Sequence, residues 1–550
     1  MPNKLAILIL FLAGLLTYGN TARNGLFWDD DEFIIKNAYI RSFRYLPQWF
    51  SQPLTAGAGV NSNYYRPLLQ LSFTIDYKLW GLWPTGYHFE NILWHTTAAI
   101  ILFIFLTELL RNFKFKISNF KLAKMIAFAT SLLWLVHPVH VEAVAYANSR
   151  GDSMATVFIL LSLILWMKNK IKGSSIAFIL ALLSKEFAIV TPGLILLIES
   201  LRGASATWQS ILNRFPRPDQ IGTRNDDKTK PFLIVLSIAI VYILLRLTTL
   251  NFQNTLNFYG VNLAKVDQQQ PFARYATSLP IRLMTFLKVL PIYAGILIWP
   301  NDLHMERTVD IPTSLSDPTV LSTFGLLVLI GLLGYWLLVI RKQRLPLFAA
   351  GWFFISILPV SGIIPISQIL AEHFLYLPSI GFFLIVSWLI TTIIFKIIKA
   401  ERWQRVSLFF VFCSLFFPLL FKTILQNRVW RDPITFYEYT LSHAQPTARV
   451  YNNLAMAYAD AKNHNQAIEN YQKSISLGDI YPNPHYNLGN TFIETGETEM
   501  AEEEYKKALK IDSHFHYATL KLGQIYIDRG KIDDAKKLVC PIFPTQPLCL

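Results

Sequence analysis

"LAILILFLAGLLTYGNTARNGLFWDDDEFII", residues 5–35, joins an apolar run that is long enough to enter a bilayer to four consecutive carboxylates, Asp29, Asp30, Asp31 and Glu32. The run 5–18 predicts the first membrane helix. Lys4 and the following "YGNTA" also fit a cleaved signal peptide, and we favour a retained anchor. Either interpretation leaves residues 28–90 outside the cytoplasm.

The composition predicts an integral membrane protein. Of the 550 residues, 53% are hydrophobic and only 16% are charged, which is more apolar than a soluble globular protein. The net charge is +14, and the first 425 residues carry +16, because they hold 37 basic and 21 acidic residues, with the basic ones in short clusters between apolar runs. This pattern is typical of cytoplasmic loops and argues against a nucleic-acid partner. Cys540 and Cys549 could form one disulfide near the C-terminus.

About eleven apolar runs qualify, or nearly qualify, as membrane helices. They cover residues 5–18, 92–110, 122–136, 153–167, 175–183, 187–201, 232–247, 320–340, 345–360, 374–395 and 406–425. Clusters of three to six Lys and Arg residues lie in 111–124, 168–172, 202–230, 341–344 and 396–405. All five clusters fall on the cytoplasmic side if the N-terminus is cytoplasmic, which fixes the predicted orientation.

Two segments allow more than one interpretation within this topology. The run 281–299 would break the alternation if it crossed the membrane, so we interpret it as a re-entrant or interfacial segment. The stretch "LLSKEFAIV", residues 182–190, is either one long kinked helix or two short helices that meet at Ser184, Lys185 and Glu186. We favour the two helices.

The last hundred residues repeat with a period of 34. Leu454, Leu488 and Leu522 recur at one position of the repeat, and Ala467, Ala501 and Ala535 recur at another. Small residues at a helix crossing with aromatic residues at fixed offsets predict tetratricopeptide helix pairs. The predicted organisation is an all-α chain: a transmembrane domain over 1–425 with extracytoplasmic loops 19–91 and 248–318, a linker over 426–446, and about three extracytoplasmic repeats over 447–550 that form a short α-solenoid.

Four polar stretches fall on the same predicted face of the membrane. They are the acidic stretch 27–33 with the loop that contains 63–73 and 81–95, the stretch 137–152, the pair Lys185 and Glu186, and the stretch 371–378. Ionisable residues at the hydrocarbon boundary usually face a water-filled cavity or each other, so we expect the four stretches to share one cavity. Apart from the acidic run, their candidate residues are Arg66, His137, His140, Glu142, Arg150, Asp152, Lys185, Glu186, Glu372, His373 and Tyr376.

Such a cavity could support transfer of a sugar from a phosphate leaving group. A carboxylate can remove the proton of an attacking hydroxyl. Arg66, Arg150 or Lys185 could neutralise the charge that develops on the phosphate. His137, His140 and Glu142 could hold a divalent metal such as Mg²⁺ or Mn²⁺, although their spacing is not specific for a metal. No other cofactor is expected.

Other interpretations stay open at this point. Each polar stretch, taken singly, could be a solvated loop or a helix terminus. Because neighbouring carboxylates raise one another's pKa, any of Asp29, Asp30 and Asp31 could point inward. The chain could also be a non-catalytic scaffold for an envelope or secretion complex, or a transporter of a polyprenyl-linked sugar. The retained polar stretches and the absence of a repeat between the two halves of the membrane domain favour an enzyme.

The combination of motifs resembles one family. "WDD" after the first helix, "YYRPLLQLSFTIDYKLWGL", "HPVHVEAVAYANSRGD", "LLSKEFAIVTP", "AEHFLYLPSIGF" and a C-terminal repeat array occur in this order. They are similar to the transmembrane and tetratricopeptide repeat-containing O-mannosyltransferases of the C-type glycosyltransferase superfamily. The resemblance covers nearly the whole chain.

The resemblance implies an inverting transferase in the plasma or inner membrane, or in the endoplasmic reticulum of a eukaryote. Its donor would be a hexose, most simply mannose, on a polyprenyl (dolichyl-type) phosphate, and its acceptor would be a protein. The family's acidic motif maps onto Asp29, the candidate base, and onto Asp30, its neighbour or a metal contact. Where relatives usually have arginine, this chain has His373, whose charge would depend on pH.

Overall fold

The computed structural model describes residues 3–113, 115, 120–202, 226–252, 271–341, 343–364 and 368–549. These residues form helices, turns and irregular segments, and no strand occurs among them. The chain divides into two compact units, Met1–Arg431 and Asp432–Leu550. Much of the predicted basic loop 202–230 and part of the predicted loop 248–318 lie outside the described residues.

The first unit is a helical bundle. Eight of its described helices are long and apolar enough to cross a membrane, and a ninth span results if a pair bent by 55° at His137 counts as one. The prediction of a polytopic helical protein is therefore confirmed, while the number of spans stays a prediction. The α-helices of this unit are Asn3–Tyr18, Leu46–Ser51, Pro67–Trp80, Pro84–Asn112, Phe120–Val136, Val141–Ala145, Arg150–Met167, Ile171–Ser184, Thr191–Arg202, Asp226–Leu247, Pro271–Thr277, Leu279–Ile298, Pro318–Val339, Leu345–Ile357, Ser379–Ile397 and Glu401–Asn427.

Two predicted segments can be compared directly with the structure. The run 281–299 forms one continuous helix, Leu279–Ile298, whose 20 residues are long and apolar enough to span, so its length does not favour the predicted re-entrant form. At "LLSKEFAIV" a helix ends at Ser184, Lys185 is extended, and a 3-10 helix begins at Glu186. The two-helix interpretation is therefore correct.

The second unit contains three helix pairs in tandem. The alanines that recur every 34 residues, Ala467, Ala501 and Ala535, are fully buried, as expected for residues at a helix crossing. One helix, Pro433–His443, precedes the pairs and lies within the predicted linker 426–446. The paired helices are Ala448–Asp460 with His464–Leu477, Pro482–Thr495 with Thr498–Ile511, and His516–Asp528 with Ile532–Val539.

A disulfide joins Cys540 and Cys549 in the segment that follows the helix Ile532–Val539. The two cysteines are nine residues apart and form the pair that the sequence allowed.

Candidate active site

The acidic run forms a tight turn after the first helix. Trp28 has a positive φ of 60°, a conformation that costs energy for a residue with a bulky side chain. Its indole stacks on Tyr146 with ring centroids 5.1 Å apart, and Trp430 lies 5.6 Å from the same Tyr146 ring. This aromatic packing holds Trp28 in place and fixes the direction in which the following aspartates leave the turn.

The three aspartates have different environments. Asp30 is buried, and its two carboxylate oxygens accept hydrogen bonds from the backbone amides of Asn148 at 2.9 Å and Phe27 at 3.4 Å. Burial raises the pKa of Asp30 well above its ordinary value, and these bonds offset only part of that effect. Asp31 forms an exposed ion pair with Lys36 at 2.7 Å. Asp29 is partly exposed and interacts electrostatically with Tyr64, beside Arg66.

The structure brings the four predicted polar stretches together. Each stretch is joined to another by a direct contact between residues that are far apart in the sequence. The contacts are Asp30 with the Asn148 amide at 2.9 Å, Arg66 with Glu186 at 3.0 Å, Lys185 with Asp152 at 2.7 Å, and His373 with Glu142 at 2.7 Å. The stretches therefore lie at one end of the bundle.

Arg66 and Lys185 are positioned by helix ends. Pro67 begins a helix, so Arg66 stands just before its first turn, where the guanidinium covers the Tyr64 ring and binds Glu186. Burial acts against the charged form of Glu186, but the Arg66 guanidinium outweighs it and lowers the pKa of that carboxyl. Both cations are thus paired with a carboxylate and held in place.

Gly151 allows the second of these pairs to form. A Cβ atom there would lie 3.2 Å from the Ser184 carbonyl oxygen, so the absence of a side chain permits the close approach of two helix ends. Asp152 follows directly and meets Lys185.

Arg150 has a different environment from the other predicted phosphate ligands. Its side chain is 0% exposed and binds the Asp76 carboxylate at 2.5 Å and Asn91 Oδ1 at 2.8 Å. Further bonds reach the Ser72 hydroxyl and the Tyr87 carbonyl oxygen. The guanidinium is therefore enclosed by the protein, and contact with a donor phosphate is not the role that this environment favours. Asp76 lies within the motif "YYRPLLQLSFTIDYKLWGL", but neither it nor Asn91 was predicted as a site residue, because nothing in the sequence identifies them as partners of Arg150.

The predicted metal ligands do not converge. His137 Nδ1 accepts a hydrogen bond from the Val139 amide and caps a short helix, whereas His140 packs between the rings of Trp134 and Tyr376. Glu142 binds His373 instead. In the part of the chain that the structure describes, no group of three or more His, Cys, Asp or Glu side chains could hold a metal ion.

Glu372 and Tyr376 lie at the start of the tenth predicted span. Glu372 Oε1 accepts hydrogen bonds from the His304 amide at 2.7 Å and from Arg307 at 2.9 Å. The Tyr376 hydroxyl binds His95 Nδ1 at 2.6 Å inside the bundle. Arg307 was missed as a site residue because it is the single basic residue of the loop 301–318.

Several known proteins are similar in sequence to this protein over most of its length. A protein O-mannosyl-transferase of Caenorhabditis elegans is 26% identical over 86% of this chain and 63% of its own length. Protein O-mannosyl-transferases TMTC3 and TMTC4 of Homo sapiens are 26% and 25% identical, over 88% and 86% of this chain and 53% and 66% of their own lengths. This chain is a homologue of these transferases.

The resemblance predicted from the motifs is thereby confirmed. Residues 446–514 also match the tetratricopeptide repeat family, which confirms the predicted repeats. The chain spans about half to two thirds of the length of the curated relatives named above. One chain of the APC/C hetero-tetramer Cut9-Hcn1 aligns with 13% identity over 93% of this chain and 98% of its own, but its TM-score of 0.21 carries no structural argument.

Proposed function

We propose that this protein transfers mannose from a polyprenyl-phosphate donor to serine or threonine hydroxyls of an acceptor protein on the extracytoplasmic side of a membrane. The homologous O-mannosyl-transferases support the reaction class. The apolar helices support a lipid-borne donor. The observation that carries the site assignment is that the stretch containing Asp29 and the three other polar stretches, which are distant in sequence, assemble at one place.

Asp29 is the proposed base. Asp29 is partly exposed and lies within electrostatic range of Tyr64, whose ring Arg66 covers, whereas Asp30 is buried and Asp31 lies at the surface, so Asp29 is the aspartate best placed to meet a substrate beside Arg66. The acceptor oxygen attacks C1 of mannose while Asp29 takes its proton. The bond between C1 and the phosphate oxygen breaks, and its electron pair leaves with the polyprenyl phosphate. Attack opposite the leaving group inverts the configuration at C1.

Arg66 and Lys185 are the proposed cations for the leaving phosphate. Their carboxylate partners, Glu186 and Asp152, hold them in fixed positions before a substrate arrives. Preorganised positive charge stabilises the negative charge that develops as the bond breaks. Arg150 has a positioning role, because it links Asp76 and Asn91 next to the segment that binds Asp30.

The repeats are the proposed binding surface for the acceptor polypeptide. The disulfide between Cys540 and Cys549 supports their extracytoplasmic location, because disulfides persist in oxidising compartments. Loop charge independently supports the same side.

The test incubates the purified full-length chain with polyprenyl-phosphate mannose and an acceptor peptide. The quantity measured is the release of polyprenyl phosphate. We expect Asp29→Asn to abolish release and to leave the unfolding temperature unchanged. Asp31→Asn is the matched control and should retain transfer. Full activity of the Asp29 variant would overturn the assignment of the base.

A further inference from the structure

The helix Asp226–Leu247 lies at the edge of the bundle and contacts it along one stripe. Val235, Ala239 and Tyr242 are buried, and Arg246 follows Tyr242 by one turn on the same face. Residues on the other faces of the helix are exposed apolar side chains, among them Val241, Leu244 and Leu245. One face of the helix therefore packs against the bundle, and its other faces form a surface suited to lipid.

Arg246 lies close to Arg66 and Glu186. Its Nη2 donates to the Asn63 carbonyl oxygen at 2.6 Å, three residues before Arg66, and its Nη1 donates to the Leu250 carbonyl oxygen. Glu186 interacts electrostatically with both arginines. Among the described residues no carboxylate is ion-paired with Arg246, and Glu186, which interacts with it electrostatically, is already bound to Arg66.

The Tyr242 hydroxyl supplies a second, independent observation. Tyr242 is 9% exposed, and its hydroxyl has no hydrogen-bond partner in the described part of the chain. The side chain lies within electrostatic range of Glu186, Arg246 and Arg66. A buried hydroxyl without a partner is costly, and a hydrogen bond to a ligand would remove that cost.

We infer that Tyr242, Arg246 and Arg66 form a binding site for the phosphate of a lipid. Arginine and hydroxyl donors suit phosphate oxygens, and the Arg246 guanidinium, which is bonded only to backbone carbonyl oxygens among the described residues, can form a charge-assisted hydrogen bond to an anion. The exposed apolar faces of the same helix lie beside the site, so the chain attached to the phosphate would leave directly into the bilayer. This inference rests on the proposed function, in which the lipid phosphate is that of the polyprenyl donor, and it adds Tyr242 and Arg246 to the residues that hold it.

The experiment measures stabilisation of the full-length chain in detergent by polyprenyl monophosphate, with inorganic phosphate and phosphatidylglycerol as separate probes. Polyprenyl monophosphate is expected to raise the unfolding temperature, and the other two probes are not. An equal effect of inorganic phosphate would identify a free-phosphate site, and an equal effect of phosphatidylglycerol would identify a general lipid site. Either result overturns the inference.

Variants assign the effect to this site. Arg246→Gln should weaken binding of polyprenyl monophosphate by about tenfold or more, because a charge-assisted bond is lost. Tyr242→Phe should weaken binding without lowering the unfolding temperature of the free protein, since it removes a hydroxyl that has no internal partner. Arg282→Gln is the matched control, because Arg282 also binds backbone carbonyl oxygens but lies outside the site.

The outcomes separate this inference from the proposed function. If both variants bind polyprenyl monophosphate like the unaltered chain, the site assignment is wrong, although mannose transfer that depends on Asp29 would still support the proposed function. If the unaltered chain transfers mannose but polyprenyl monophosphate does not stabilise it, the inference also fails.

Discussion

Asp30 and Asn148 lie 118 positions apart in the sequence and are joined by a hydrogen bond of 2.9 Å from the Asn148 amide to Asp30 Oδ1. The other carboxylate oxygen accepts the Phe27 amide, so the side chain ties the acidic turn to the segment before the helix Arg150–Met167. Asp30 therefore positions Asp29.

Replacing Asp30 is expected to lower stability as well as transfer. In Asp30→Asn, an NH2 group replaces one of the two oxygens that accept hydrogen bonds from backbone amides. This group cannot accept, so one buried backbone amide stays unpaired at a cost of about 1–3 kcal/mol. The unfolding temperature in detergent should fall, whereas Asp31→Asn, which removes an exposed ion pair, should change stability by less than about 1 kcal/mol. An unchanged unfolding temperature with complete loss of transfer would instead place Asp30 in the chemistry.

The ion pair between Lys185 and Asp152 provides a second prediction. The exposed fractions of the two side chains are 14% and 2%, so Lys185→Met would leave a nearly buried carboxylate uncompensated, at a cost of about 3 kcal/mol. Combining it with Asp152→Asn should recover a large part of the lost stability. Unfolding of the two single variants and the double variant in detergent measures this coupling, and additive losses would contradict it.

Local patterns explain why much of the fold could be predicted from the sequence. The repeat helices follow from a period that places Leu454, Leu488 and Leu522 on the same buried face in each pair. The helix Pro433–His443 also has a local sequence signal. The Asp432 side chain caps it by accepting from the Thr435 amide, and Pro433 occupies the first turn.

The partners within the site could not be predicted, because they depend on contacts between distant segments. Arg66 and Glu186 are 120 positions apart, and nothing in either motif identifies the other. The sequence indicates a phosphate ligand at Arg150, because the burial of this residue against Asp76 and Asn91 is visible only in the folded bundle. The sequence predicted which stretches lie close together, whereas the structure shows which side chains within them bind one another.

Lys462 is expected to limit the stability of the first repeat. It has a positive φ of 62° at the position where the later repeats have Gly496 and Gly530, with φ of 88° and 71°. Lys462→Gly should stabilise the helix pair by roughly 0.5–1 kcal/mol, since glycine adopts this conformation without strain. Hydrogen exchange of the helix Ala448–Asp460 in the full-length chain measures the change.

Lys462→Ala is the control for that effect. It removes the exposed ion pair between Lys462 and Glu494 but keeps a side chain at positive φ, so it should not stabilise the repeat. Equal stabilisation by alanine and glycine would show that backbone strain is not the cause.

His485 makes the stability of the second repeat depend on pH. Its Nδ1 binds Glu504 at 2.5 Å and its Nε2 binds Asp479 at 2.9 Å, while Lys507 binds the same Glu504. Burial disfavours the charged ring, but the hydrogen bonds and charges of the two carboxylates outweigh it and raise the pKa of His485 above 6.5. The protonated ring therefore stabilises the fold fully below 6.5, and this contribution is lost as the pH rises through the higher pKa of the folded state.

Hydrogen exchange of the full-length chain tests this dependence. Protection factors of the helix Pro482–Thr495, corrected for intrinsic exchange, should fall as the pH rises above about 6.5. His485→Gln should remove this fall, because the glutamine does not titrate, and the exposed His514→Gln should retain it. A fall of equal size in His485→Gln would assign the pH dependence to another group. It would contradict the stabilisation of protonated His485 by Asp479 and Glu504.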